Sequence, residues 1–249
     1  MLENFSKSLQ VKPRLFVALV FGFVLATIIG TQTHEYGHYL AGKYYGYHSR
    51  LHYASVSYGD YNNKQLAVFD SLYKADEAKI LAKENSPQKE YFLKYRAQLS
   101  GETKGHDFEN ILAGPLETML SGSIGLLILW INRKKIRAKT ALSFKNWVAV
   151  FVAFFWSRQL AILLQKSIYT IANIKSRHNG DEVNLAKHLN LNPWSIITLL
   201  GVLSAVILSW IVFYIIPKHQ RFTFITAGLA GSALGVLIWF GWMGPVLLP

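Results

Sequence analysis

The sequence predicts an all-α polytopic membrane protein of about five transmembrane helices, with a small extramembrane α/β insertion made of a hairpin and short helices. Three observations carry this. The chain is 51% hydrophobic and only 16% charged, which is too apolar for an ordinary soluble domain of 249 residues. Five apolar segments each approach or exceed the ~20 residues that span a bilayer core. Between the first two lies the one sizeable polar stretch.

The first segment, Leu15 to Gly30, follows Lys7, Lys12 and Arg14 and has no small-x-small cleavage site behind it, so it reads as an uncleaved signal anchor within residues 1–47. Residues 48–107 form the polar insertion. Its opening, SRLHYASVSYGDYN, alternates as a strand does, and Gly59-Asp60 offers a turn. Residues 71–99, rich in Ala, Glu, Lys and Leu, predict two short helices, with Pro87 as a helix start. Residues 108–249 supply the remaining spans: Phe108 to Ile131, Trp147 to Leu164, Ile196 to Ile216 and Phe222 to Leu248. Ser157, Arg158 and Gln159 interrupt the third. A polar loop at about 168–193 separates the third span from the fourth.

The formal net charge of +12 suggests nucleic acid in a soluble protein, but basic residues beside apolar spans set orientation and meet anionic lipid, so no nucleic-acid partner is expected. Arg133, Lys134, Lys135, Arg137, Lys139 and Lys145 crowd the loop after the second span without one acidic residue, and Lys218 and Arg221 mark the last loop. Both loops, and with them the amino terminus, are expected to be cytoplasmic. The polar insertion, nearly balanced in charge, is then external. The absence of cysteine excludes disulfides, thiolate metal sites and cysteine nucleophiles, leaving His, Asp and Glu to hold any metal.

The first apolar run passes without a helix breaker into His34-Glu35-Tyr36-Gly37-His38. Residues four apart share a helix face, so His34 and His38 can aim two imidazole nitrogens at one metal ion with Glu35 beside it as a base. An exposed polar helix turn is the bland alternative. Ionisable groups that continue a membrane-length helix are costly without a function, which favours the metal. A third ligand must come from elsewhere. Two spans later the chain returns to the side of His38, and Asp181 and Glu182 are the only carboxylates from Lys166 to the carboxyl terminus. Either fits; a helix-capping role for Asp181 or Asn179 is the competing explanation. His178, His188 and the His106-Asp107 pair are weaker candidates.

HEYGHYLAGKYYG resembles the metal-binding helix of the site-2 protease family of intramembrane zinc metalloproteases, including Gly37, Ala41 and the helix-ending Gly46. Ala113-Gly114-Pro115-Leu116 resembles the Gly-Pro segment that the family carries on a later membrane helix, and Gly180-Asp181-Glu182 stands where the family supplies an aspartate. The resemblance covers the membrane core and leaves out residues 48–106. It implies one Zn2+ per chain on His34, His38 and Asp181, Glu35 as the catalytic base, and hydrolysis of a peptide bond in a membrane-protein substrate. It also implies that a strand after the metal helix pairs with extended substrate. Where the family often has asparagine after Gly-Pro, this chain has Glu117 and Thr118, with Asn110 earlier. Gly114, Pro115, Glu117, Asn110 and Arg158 are therefore candidates for substrate contact or support, and similar depth suggests a Glu117–Arg158 pair. Small residues Gly228, Gly231, Ser232 and Gly235 suggest close helix packing, within the chain or against a partner.

The expected function is that of a zinc endopeptidase embedded in the lipid bilayer, of a bacterial cell membrane. A catalytically silent membrane scaffold with the same fold and a metal transporter are the rivals. The oligomeric state is not legible in the sequence.

Overall fold

The computed structural model describes residues 10–59, 63–82, 84–100, 107–174 and 180–249. Five of its helical segments are long and apolar enough to cross a membrane, the pattern of a helical integral membrane protein. Helix α1, Pro13–Tyr44, starts with proline in its first turn, where no N–H is needed. Its 32 residues exceed what the hydrocarbon core requires, so the His motif near its end belongs to the same rigid rod as the membrane anchor. The rod stops at Gly46, whose φ of 80° closes a Schellman turn: Tyr47 N donates to Gly42 O at 2.8 Å and Gly46 N to Lys43 O at 3.1 Å.

The expected hairpin follows, as β1 (Ser49–Leu51) paired antiparallel with β2 (Val56–Tyr58), Arg50 opposite Ser57. The reversal, however, falls at residues 52–55, not at Gly59-Asp60. Gly59 follows β2 with its N–H bonded to His48 O at 2.7 Å, and Asp60 lies outside the described residues. The turn is tied to distant parts of the chain. Tyr53 O accepts from Gln32 Nε2 at 2.7 Å and from Trp239 Nε1 at 2.9 Å, while Tyr53 N donates to Leu248 O at 3.0 Å.

Two insertion helices come next, α2 (Asn63–Leu81) and α3 (Pro87–Ser100); α2 begins earlier than the predicted 71, and Pro87 does start α3. Helix α4, Asp107–Arg137, is the second span. The third is unbroken but changes winding where the sequence is interrupted: α5 (Phe144–Ala153), a tight turn at Phe154–Trp156, then α6 (Ser157–Ile171). Short α7, Asp181–His188, leads to α8 (Ser195–Trp210), which widens into a π-turn at Ile211–Ile215. Helix α9, Lys218–Ile238, passes through a second π-turn at Trp239–Met243 to α10, Gly244–Leu247.

Phe23 anchors the core, set edge-on to Phe151 and Phe154 and tilted against Phe224, with Leu129, Val150 and Ile211 around them. The small stripe of α9 is used within the chain. A Cβ on Gly231 would stand 2.6 Å from Val20 O of α1, and one on Gly235 would stand 2.8 Å from Thr27. This packing fixes α1, and through it the His motif, against the last span.

Candidate metal centre

His34 and His38 project from the same face of α1, one turn apart, as their spacing requires. Asp181 reaches them from the first turn of α7. Among the described residues these three form the one group of His, Asp and Glu side chains placed to hold a metal ion, with donor atoms within 4.8 Å of one another. Asp181 Oδ2 lies 3.0 Å from His34 Nε2 and 3.4 Å from His38 Nε2, and the two ring nitrogens are 3.2 Å apart. Ligands about 2.0–2.1 Å from one tetrahedral ion stand roughly 3.3 Å from each other, so the spacing suits a metal.

The rings are oriented by their other nitrogens. His38 Nδ1 donates to Asn110 O at 2.6 Å. Thr118 Oγ1 gives its single proton to Gly114 O at 3.0 Å, so it accepts from His34 Nδ1 at 3.2 Å. Both imidazoles thereby turn Nε2 inward, the arrangement a metal requires. Arg158 Nη2, which can only donate, sits 2.9 Å from His34 Nε2 and 3.9 Å from Asp181 Oδ2, which calls for a lone pair on that nitrogen. The three donors thus converge beside one fixed positive charge, and together they could hold a metal ion.

Two close approaches make the geometry attainable. A Cβ on Gly37 would stand 2.5 Å from Ala113 O, and one on Gly114 would stand 2.2 Å from His38 Nε2. Pro115 follows inside α4 and leaves the Ile111 carbonyl without a helical donor at the cavity wall.

Asp181 is not a cap. Gly180 occupies the N-cap position in extended conformation, and no side chain caps α7. Asn179 and His178 lie outside the described residues, as does His106. Val183, Leu185 and Ala186 are buried and seat α7 against α4, whereas Leu189, just past the helix end, is half exposed. Burial pushes the Asp181 carboxyl up, and the two imidazoles beside it more than reverse this, holding it well below the usual carboxylate range. Glu182 is not part of the donor group and lies 1% exposed beside an equally buried Gln159. Burial raises its carboxyl and favours the neutral form. Glu182→Gln, nearly isosteric with that form, is expected to keep metal and melting temperature, whereas Glu182→Ala should lose about 2–4 kcal/mol through the void it leaves. Thermal unfolding of both variants checks this.

Glu35 lines the same cavity of about 720 Å³ as the three donors. Its walls include β2 through Val56 and Tyr58, α2 through Phe69, α3 through Arg96, and Asp107, Asn110 and Arg158. The expected Glu117–Arg158 pair does not form: Glu117 accepts from Ser121 Oγ at 3.0 Å, while Arg158 turns to His34 and Asp181. Equal depth did not account for the direction each helix face points. Asn110 contributes its carbonyl to His38, not its amide. Thr118, which the sequence marks only as standing after Gly-Pro where the family often has asparagine, holds the His34 ring instead, and Tyr58 belongs to no sequence motif. Burial pushes the Tyr58 phenol up, so it stays a hydroxyl at the cavity wall. No family model, no curated protein and no solved structure matches the chain.

Proposed function

We propose that the chain is a zinc-dependent endopeptidase of the site-2 protease type, hydrolysing a peptide bond within or beside the membrane segment of a protein substrate. The observation that carries the reading is the donor triad of His34, His38 and Asp181 with Glu35 on the same cavity wall. Zinc bound there would acidify a water molecule and polarise the scissile carbonyl. Glu35, next to the first ligand, takes the proton of the attacking water and returns it to the leaving amine. Asn110 O and Thr118 Oγ1 hold the two rings in register during this exchange. Gly37 and Gly114 let α1 and α4 approach, so that the ring nitrogens face Asp181.

Arg158 places a fixed positive charge beside the donors, where it can meet the oxyanion as it develops. Arg158→Gln is expected to lower kcat about a hundredfold with zinc content unchanged; loss of zinc in this variant instead would make the guanidinium a support of the ligand set. In this reading β2, which pairs only with β1 among the described residues, offers its other edge along the cavity to an extended substrate.

The deciding experiment is metal analysis of the purified chain together with cleavage of membrane-embedded peptides. One zinc per chain with zinc-dependent cleavage supports the enzyme. Zinc without cleavage, and metal flux in proteoliposomes, would favour a transporter, and no bound metal would favour a silent scaffold.

A further inference from the structure

On the membrane-facing side, remote from the metal donors, α4 and α8 leave a groove of about 430 Å³ between them. None of its lining residues also lines the candidate metal cavity. Ser123 closes one end, its hydroxyl taken by Trp156 Nε1 at 3.3 Å. From there the walls are Leu126, Leu127 and Trp130 of α4 against Val206, Ile207 and Trp210 of α8. Both helices run away from the donor end, so the groove rises from mid-span toward the Arg133–Lys145 loop.

At that upper end the chemistry changes abruptly. Trp130 and Trp210 stand 5.8 Å apart between ring centres, and Tyr214 stacks on Trp210 at 5.6 Å. The Arg133 guanidinium lies 4.1 Å over the Trp130 ring and donates to Trp130 O at 2.6 Å; the Arg137 guanidinium lies 4.2 Å over Tyr214. Positions 123, 126, 130, 133 and 137 fall on one face of α4, and 206 and 210 on one face of α8, with Tyr214 of the following π-turn stacked on Trp210. A hydrocarbon slot, an aromatic belt and two stacked guanidiniums therefore follow one another along a single line.

We infer that this groove is a binding site for one anionic phospholipid, an acyl chain lying between Leu127 and Val206 and the phosphate held by Arg133 and Arg137. A groove open to the hydrocarbon layer admits only an apolar occupant, which the slot supplies space for. Two guanidiniums held by stacking are preorganised, so they pair with a phosphate at small entropic cost. Zwitterionic lipids offer the same chains but bring a choline or amine cation toward the arginines. The remaining charge of the loop, on Lys134, Lys135, Lys139 and Lys145, raises the local concentration of the anion without belonging to the site.

The test uses the purified full chain in neutral detergent, titrated with dioleoyl phosphatidylglycerol or dioleoyl phosphatidylcholine and read by native mass spectrometry. Phosphatidylglycerol is expected to be retained at one per chain and at least about tenfold more strongly than phosphatidylcholine, with excess inorganic phosphate failing to displace it. Arg133→Gln with Arg137→Gln should erase the preference, and Lys139→Gln with Lys145→Gln should not. Should the arginine pair variant fail to fold, Leu127→Trp, which fills the slot, and Arg137→Lys, which removes the planar fork, should each weaken phosphatidylglycerol retention. Equal retention of the two lipids, displacement by phosphate alone, unchanged binding in Leu127→Trp, or crosslinking of two copies through the groove would each overturn the assignment.

Discussion

Replacing Glu35 by glutamine is expected to leave one zinc per chain in place and to reduce peptide hydrolysis by about two to four orders of magnitude, the range typical of a lost general base. The reasoning is spatial. Glu35 follows His34 directly on α1, so its side chain leaves the helix about 100° away from the ligand face and does not join the donor triad. It still lines the cavity into which the donors converge. Glutamine has the shape of glutamate but cannot accept the proton of an attacking water. Metal content measured beside turnover separates the two roles: a variant that loses zinc would place Glu35 among the ligands, and one that keeps full turnover would remove it from the chemistry.

Gly114→Ala should be as damaging without replacing any ionisable group. Its methyl would stand 2.2 Å from His38 Nε2 and 2.7 Å from two ring carbons, too close for any side chain to remain where it is. The ring cannot simply retreat, because Asn110 O holds its far side at 2.6 Å. Either the imidazole swings out of the donor set or α1 and α4 separate, and Gly37 against Ala113 O resists the second. A fall in zinc affinity of about a hundredfold or more is expected, with turnover lost in proportion. Isothermal titration of zinc into the metal-stripped variant, with circular dichroism to show intact helices, checks this; wild-type affinity would mean that the His38 ring does not sit against Gly114.

What could be read from the sequence and what could not divide along a physical line. Apolar length alone marks a membrane helix, so all five spans were visible, though their polar ends, such as Asp107 and Arg137 on α4, lay beyond the apolar runs. A four-residue spacing fixes a shared face, so the pairing of His34 with His38 was visible too. The place of Asp181 followed from counting spans in a half of the chain with two carboxylates, and the resemblance chose between them. Relations that depend on how one helix is rotated against another left no local mark. Thr118 behind His34, the direction of Glu117 and the reach of Arg158 are of this kind. The hairpin turn is another case: His52-Tyr53-Ala54-Ser55 contains no glycine or proline, and its position is set by bonds from Gln32, Trp239 and Leu248.

Those same bonds impose an order in time. A ribosome extends a chain at about 5–20 residues per second, so roughly 10–40 seconds separate the synthesis of Tyr53 from that of Trp239. Through that interval the Tyr53 carbonyl lacks one of its two donors, and its N–H lacks the carbonyl of Leu248. The wall of the cavity that β2 forms is thus the last to be fastened, after every donor in the metal triad has already been made.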